Sequence, residues 1–183
     1  MRSLPTVRSC GPERSGWRQC SSGQEFRPSS TSPGEMTAAD LGIERPTLKR
    51  LYQDWLDRRR GRAMPARADF DVLDLGYILG DLNLLDVLYA PLRFRFRVHG
   101  THAVSRLGFD LTGKTVDDYP DPDYRAVVRE HYSQVVEAKA PKRIARDPFR
   151  RRNRMVLRWE GLVLPLSADG ARVDMLMVGL GVD

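Results

Sequence analysis

The chain has 183 residues, of which 41% are hydrophobic and 30% charged, and a formal net charge of +6. That length suits one domain with its own core and is too short for a sensor joined to a separate enzymatic output domain. No apolar run approaches the ~20 residues of a membrane span, so a soluble, cytoplasmic protein is expected. The only cysteines, Cys10 and Cys20, precede the periodic part of the chain, which excludes a disulfide framework and a cysteine nucleophile in the core.

Residues 1–35 are rich in Ser, Pro, Gly and Arg and show no helical or strand period, so a disordered extension is expected there. They contain no apolar core for a signal peptide, and Glu13, Glu25 and Glu35 speak against a transit peptide. Met36 opens a stretch that reads like a natural start, and the extension is expected to come from a misassigned initiation codon. In 46–60 the residues Leu48, Leu51, Tyr52, Trp55 and Leu56 fall on one helical stripe. Pro46 suits the first turn, Arg58, Arg59 and Arg60 suit the negative end of the dipole, and Gly61 suits a left-handed cap. This gives an N-terminal amphipathic helix region at 36–63 and a domain proper at 64–183. The stripe must dock on the domain's own sheet or on the same helix of a second copy.

Next comes a short helix capped by Asp69 or Asp71, then a strand from about Leu82 to Leu88 that stops before Pro91. Strict alternation in 92–100 places Phe94, Phe96 and Val98 on one face of a second strand, and Arg93, Arg95, Arg97 and His99 on the other. That polar row is either solvated or covered by the amphipathic helix. Gly108 and Gly113 punctuate a region of short helical turns. A second helix runs from Asp121 as N-cap to a stop at Pro141, with Tyr124, Val127, Val128, His131 or Tyr132, and Val135 inward. The remainder reads as three strands, the last two joined through an Asp169–Gly170 turn.

Five pieces in this order, "MPARADFD", "LLDVL", "FRFRVHGTH", "GFDLTGK" and "LPLSADG", resemble a PAS domain, and more narrowly the stand-alone PAS-like proteins of proteobacteria, over about residues 46–183. The resemblance implies an α+β fold: a five-stranded antiparallel sheet with flanking helices and an extra N-terminal amphipathic helix. It also implies a non-enzymatic sensory or protein-interaction module that signals through a separate output protein. The helix carrying Leu48, Leu51, Tyr52, Trp55 and Leu56 is then the candidate for homodimer formation. A cysteinyl-flavin adduct is excluded because no cysteine lies in the domain. Haem-binding relatives use a histidine on the helix before the last three strands, where His131 sits.

The pocket such a fold would carry should be lined by inward strand residues, Phe94, Phe96, Val98, Met155, Leu157, Trp159, Met175 and Met177, with His131 above them. These residues suit a flat apolar ligand and a plain core equally. Two other readings stay open. One is a basic surface for nucleic acid or another anionic partner, formed by Lys142, Arg143, Arg146, Arg150, Arg151, Arg152 and Arg154. Nucleic acid is disfavoured because no aromatic platform interleaves the cluster. The other is a small α+β-cone enzyme of the isomerase or dehydratase kind with His99 or His131 as base. His99 and His102 read as sheet edge and loop, and Asp69, Asp71 and Asp74 as caps and turns. Intact-mass measurement of the protein from its native host checks the start: a mass beginning at Met36 is expected, and one that includes the extension overturns it.

Overall fold

The structure, a computed structural model, describes residues 36–150 and 156–182, and the backbone alone for 146–150, 156–158 and 182. The expectation for residues 1–35 lies outside the described residues. Pro46 opens helix α1 (Pro46–Arg59), which closes with Arg60 and Gly61 both in the left-handed region, at φ 48° and 80°. The short helix expected after it is instead three 3₁₀ turns, Arg67–Asp69, Leu73–Leu75 and Leu79–Asp81. Side-chain caps compete with a longer helix here: Asp69 accepts the N–H of Ala66, and Asp71 that of Leu73. Asp74 pairs with Arg58.

Strands β1 (Leu82–Leu88) and β2 (Arg93–Val98) follow, then α2 (Thr101–Leu107), ended by Gly108 at φ 82°. Helix α3 (Pro122–Ala138) is capped by the Asp121 carboxylate, which accepts the N–H groups of Asp123 and Tyr124. Strands β3 (Lys142–Arg150), β4 (Val156–Leu166) and β5 (Met175–Val182) complete the domain. All pairs are antiparallel, in the order β2-β1-β5-β4-β3. This is the α+β sheet that the sequence implied. The β4–β5 turn is wider than a two-residue hairpin, and Asp169 organises it by accepting the N–H groups of Ala171 and Arg172.

Cross-strand partners share a face, so the register divides the sheet into two. On one face lie Leu84, Leu162, Leu164, Met175, Met177 and Gly179. Helix α1 covers this face: a Cβ on Gly179 would lie 2.5 Å from the Leu51 side chain and 3.0 Å from that of Leu48, and one on Gly181 would strike Arg45. The two glycines therefore form a floor onto which the helix settles. Leu48, Leu51, Tyr52 and Trp55 are buried there, Leu56 is half-buried, and the Trp55 indole N–H donates to the Pro165 carbonyl at 2.9 Å.

The expected dimer contact through Leu48, Leu51, Tyr52, Trp55 and Leu56 is thereby corrected. The stripe docks on the chain's own sheet.

Glu160 of β4 fixes the start of α1. Its carboxylate accepts the N–H groups of Glu44 and Arg45 at 3.0 and 3.1 Å and the Arg143 guanidinium at 2.6 Å. Burial alone would raise its pKa, but these donors outweigh burial and hold the carboxyl below the ordinary glutamate value. Removing it takes the acceptor from two amide donors at the helix start and leaves Arg143 with only the exposed Glu44 carboxylate. Glu160→Ala is accordingly expected to lower unfolding free energy by about 2–3 kcal/mol, read by urea titration with circular dichroism, whereas a midpoint within error of the parent would show that the helix start is held elsewhere.

Candidate functional site

The opposite face of the sheet presents Leu85, Val87, Phe94, Phe96, Val163, Leu176 and Val178 toward α3. Helix α3 buries Val128, Tyr132 and Val135, and Tyr132 meets Phe94 edge-on with ring centroids 5.4 Å apart. The loop before α3 brings in Tyr119, edge-on to Phe96, to Phe109 and to Tyr124 at 6.0, 6.0 and 4.9 Å. Each such pair contributes roughly 0.5–1.5 kcal/mol beyond its buried area, so this aromatic layer holds its own geometry. Burial pushes the Tyr119 and Tyr132 hydroxyls far above the ordinary tyrosine value, and both stay neutral.

Register decides which β2 residues join this layer. Leu84 pairs with Val98 but Leu85 pairs with Phe96, so β2 carries one extra residue, Arg97, as a bulge. The side chains beyond the bulge change faces. Val98, expected inward with Phe94 and Phe96, turns outward and is 43% exposed. His99, expected outward with the arginines, turns inward: its side chain has no exposed surface, and its ring lies 5.1 Å from that of Phe96. Both assignments are corrected for this one reason.

The polar partners of His99 are specific. Leu111 donates its N–H to Nδ1 at 3.1 Å, and an Asp110 carboxylate oxygen lies 3.4 Å from the same nitrogen. Nε2 is buried and has no hydrogen-bond partner. The next residue is clamped too, since Gly100 donates to Asn83 Oδ1 at 2.9 Å, and a Cβ there would lie 2.5 Å from the Gly80 carbonyl oxygen. Burial lowers the His99 pKa below the ordinary histidine value, with nearby Asp110 opposing it. The Leu111 N–H directed at Nδ1 makes that nitrogen the acceptor, which assigns the ring hydrogen to Nε2.

Of the other expected lining residues, Trp159 lies half-buried on the α3 face, and its ring sits within 2.8 Å of where a Cβ on Gly161 would stand. Met175 and Met177 are buried on the α1 face and are corrected: Met175 pairs with Leu166 and Met177 with Leu84, so the β5 residues on the α3 face are Leu176 and Val178. Met155 and the Leu157 side chain lie outside the described residues.

His131 is half-buried on α3. Its neighbour Tyr132 is one of the α3 side chains packed onto the sheet, against Phe94. Among the described residues no group of three or more His, Cys, Asp or Glu is placed to hold a metal ion. His102 is exposed and engages Asp81 at 2.8 Å.

Two members of the basic cluster are occupied, Arg143 by Glu160 and Glu44, and Lys142 by Gln134. The side chains of Arg146 and Arg150, and all of Arg151, Arg152 and Arg154, lie outside the described residues. No described helix is long and apolar enough to cross a membrane.

A family model described as a PAS domain matches residues 43–180. Comparison with curated proteins and with solved structures gives no match.

Because the folded chain disfavours the imidazolium, the unfolded chain takes up the proton first, and stability is lost as pH falls below the ordinary histidine value. Melting temperatures of the parent and His99→Gln compared from pH 7.5 to 5.5 should show a steeper fall for the parent; parallel curves would mean that His99 titrates as it does in the unfolded chain.

Proposed function

The chain belongs to the PAS domain family, and on that premise we propose that this sensory or interaction module binds a small, flat, apolar molecule between its sheet and α3 and signals through a separate protein. The observation that carries the reading is the aromatic layer of Phe94, Phe96, Tyr119 and Tyr132, with the buried His99 ring set against Phe96. Aromatic walls with one placed polar group are the usual composition of small-molecule sites, in which apolar area gives affinity and the polar group gives orientation.

The sheet offers a route from such a site to the surface. Leu176 and Val178 face α3, while Met175, Met177 and Gly179 on the same strand carry α1. A shift of β5 caused on one side therefore moves the floor of the helix on the other, and α1 is the element a partner would read. Native mass spectrometry of gently purified full-length protein is expected to show a retained small molecule that Tyr132→Ala loses. A chain that comes through bare from every preparation, and binds no member of a library of aromatic fragments, overturns the reading.

A further inference from the structure

A buried hydrogen-bond donor without an acceptor costs roughly 1–3 kcal/mol, and native folds rarely leave one. Here the fold fixes the donor's orientation instead of releasing it. The bulge at Arg97 turns His99 inward, the Leu111 N–H occupies Nδ1, and the Gly100 clamp holds the backbone that follows. The ring can then offer only its Nε2–H, beside the ring of Phe96 and on the side of the sheet where Tyr119 and Tyr132 close the layer.

We propose that the Nε2–H of His99 anchors a planar aromatic ligand through a neutral carbonyl oxygen on that ligand. The inference rests on the ligand-binding reading above and adds to it a ligand class and an orientation. A carboxylate fits less well, because the nearest charged group to the His99 ring is the Asp110 carboxylate, and an anion buried among aromatic rings without a cation is costly. A plain hydrocarbon would leave Nε2 unpartnered. A carbonyl oxygen accepts a hydrogen bond without carrying charge and lies in the plane of an attached ring, which suits one donor set among aromatic edges.

The test uses the full-length chain and two probes of similar size, acetophenone and isopropylbenzene, in which the ketone oxygen of the first is replaced by a methyl group and a hydrogen. Dissociation constants for both are measured by NMR titration on the parent, His99→Leu and His99→Gln. Comparing the ratio of the two constants across variants cancels the difference in the probes' own hydrophobicity. The preference for acetophenone should drop about fivefold in His99→Leu, the size of one neutral hydrogen bond, and be partly kept in His99→Gln, whose amide nitrogen replaces Nε2.

In the parent, the Nε2 ¹⁵N signal in a two-bond ¹H–¹⁵N spectrum, read through the ring C–H protons, should move with acetophenone and stay fixed with isopropylbenzene. If His99→Leu does not fold, that spectrum decides alone. Binding of both probes with an unchanged ratio, or an Nε2 ¹⁵N signal indifferent to acetophenone, assigns the donor to an internal water and overturns the anchor while leaving the site. Failure of both probes to bind the parent overturns anchor and site together.

Discussion

One extra residue in β2 governs what the α3 face contains. Strand periodicity would carry Val98 inward and His99 outward, as the residues before them alternate. The bulge at Arg97 reverses both, so a strand that begins by alternating aromatic and basic residues ends by delivering an imidazole to the interior. The same bulge brings Arg95 and Arg97 together on Asp86, at 2.9 and 2.8 Å. The Asp86 carboxyl, which burial alone would raise, is held below the ordinary aspartate value by those two guanidinium groups. The interior histidine and the surface ion pair are therefore two results of one register shift.

A second pairing of this kind stands at the far edge of the sheet. Glu160 on β4 takes Arg143 from the edge strand β3, much as Asp86 on β1 takes arginines from the edge strand β2. Both carboxylates lie on the α1 face, and both are nearly buried while their arginines reach the rim. Each edge strand is thus tied to its inner neighbour by a charge-assisted bond in addition to its ladder. The interior strands, with apolar residues on both faces, are left free to pack helices on either side.

Much of this was legible in the sequence wherever punctuation and period agreed. Helix α1 announces itself through Pro46, the Leu48 to Leu56 stripe and Gly61, and α3 through Asp121, Pro122 and Pro141. Strand β1 ends as expected before Pro91. What failed was the choice of face. In β5, "MLMVGLGV" is apolar at every position because both faces are covered, so period 2 carries no information there. The usable signal was Gly179 and Gly181: two glycines two apart mark the side on which a helix approaches the backbone, which puts Met175 and Met177 beneath α1. The bulge had no such sign in the chain, since it is defined by the partner strand. Tyr119 lay in a loop without period, where its role depends on what α3 and β2 bring to it.

The sheet also divides the chain's native fluorescence. Trp55 is sealed against the Pro165 carbonyl under α1, stacked near Tyr52, while Trp159 stands half-buried on the other side beside Gly161. Trp17 lies outside the described residues. With Trp17 replaced, an unlabelled protein carries one emitter on each side of its central layer. Quenching or a spectral shift of one emitter without the other then reports which side of the molecule has been disturbed.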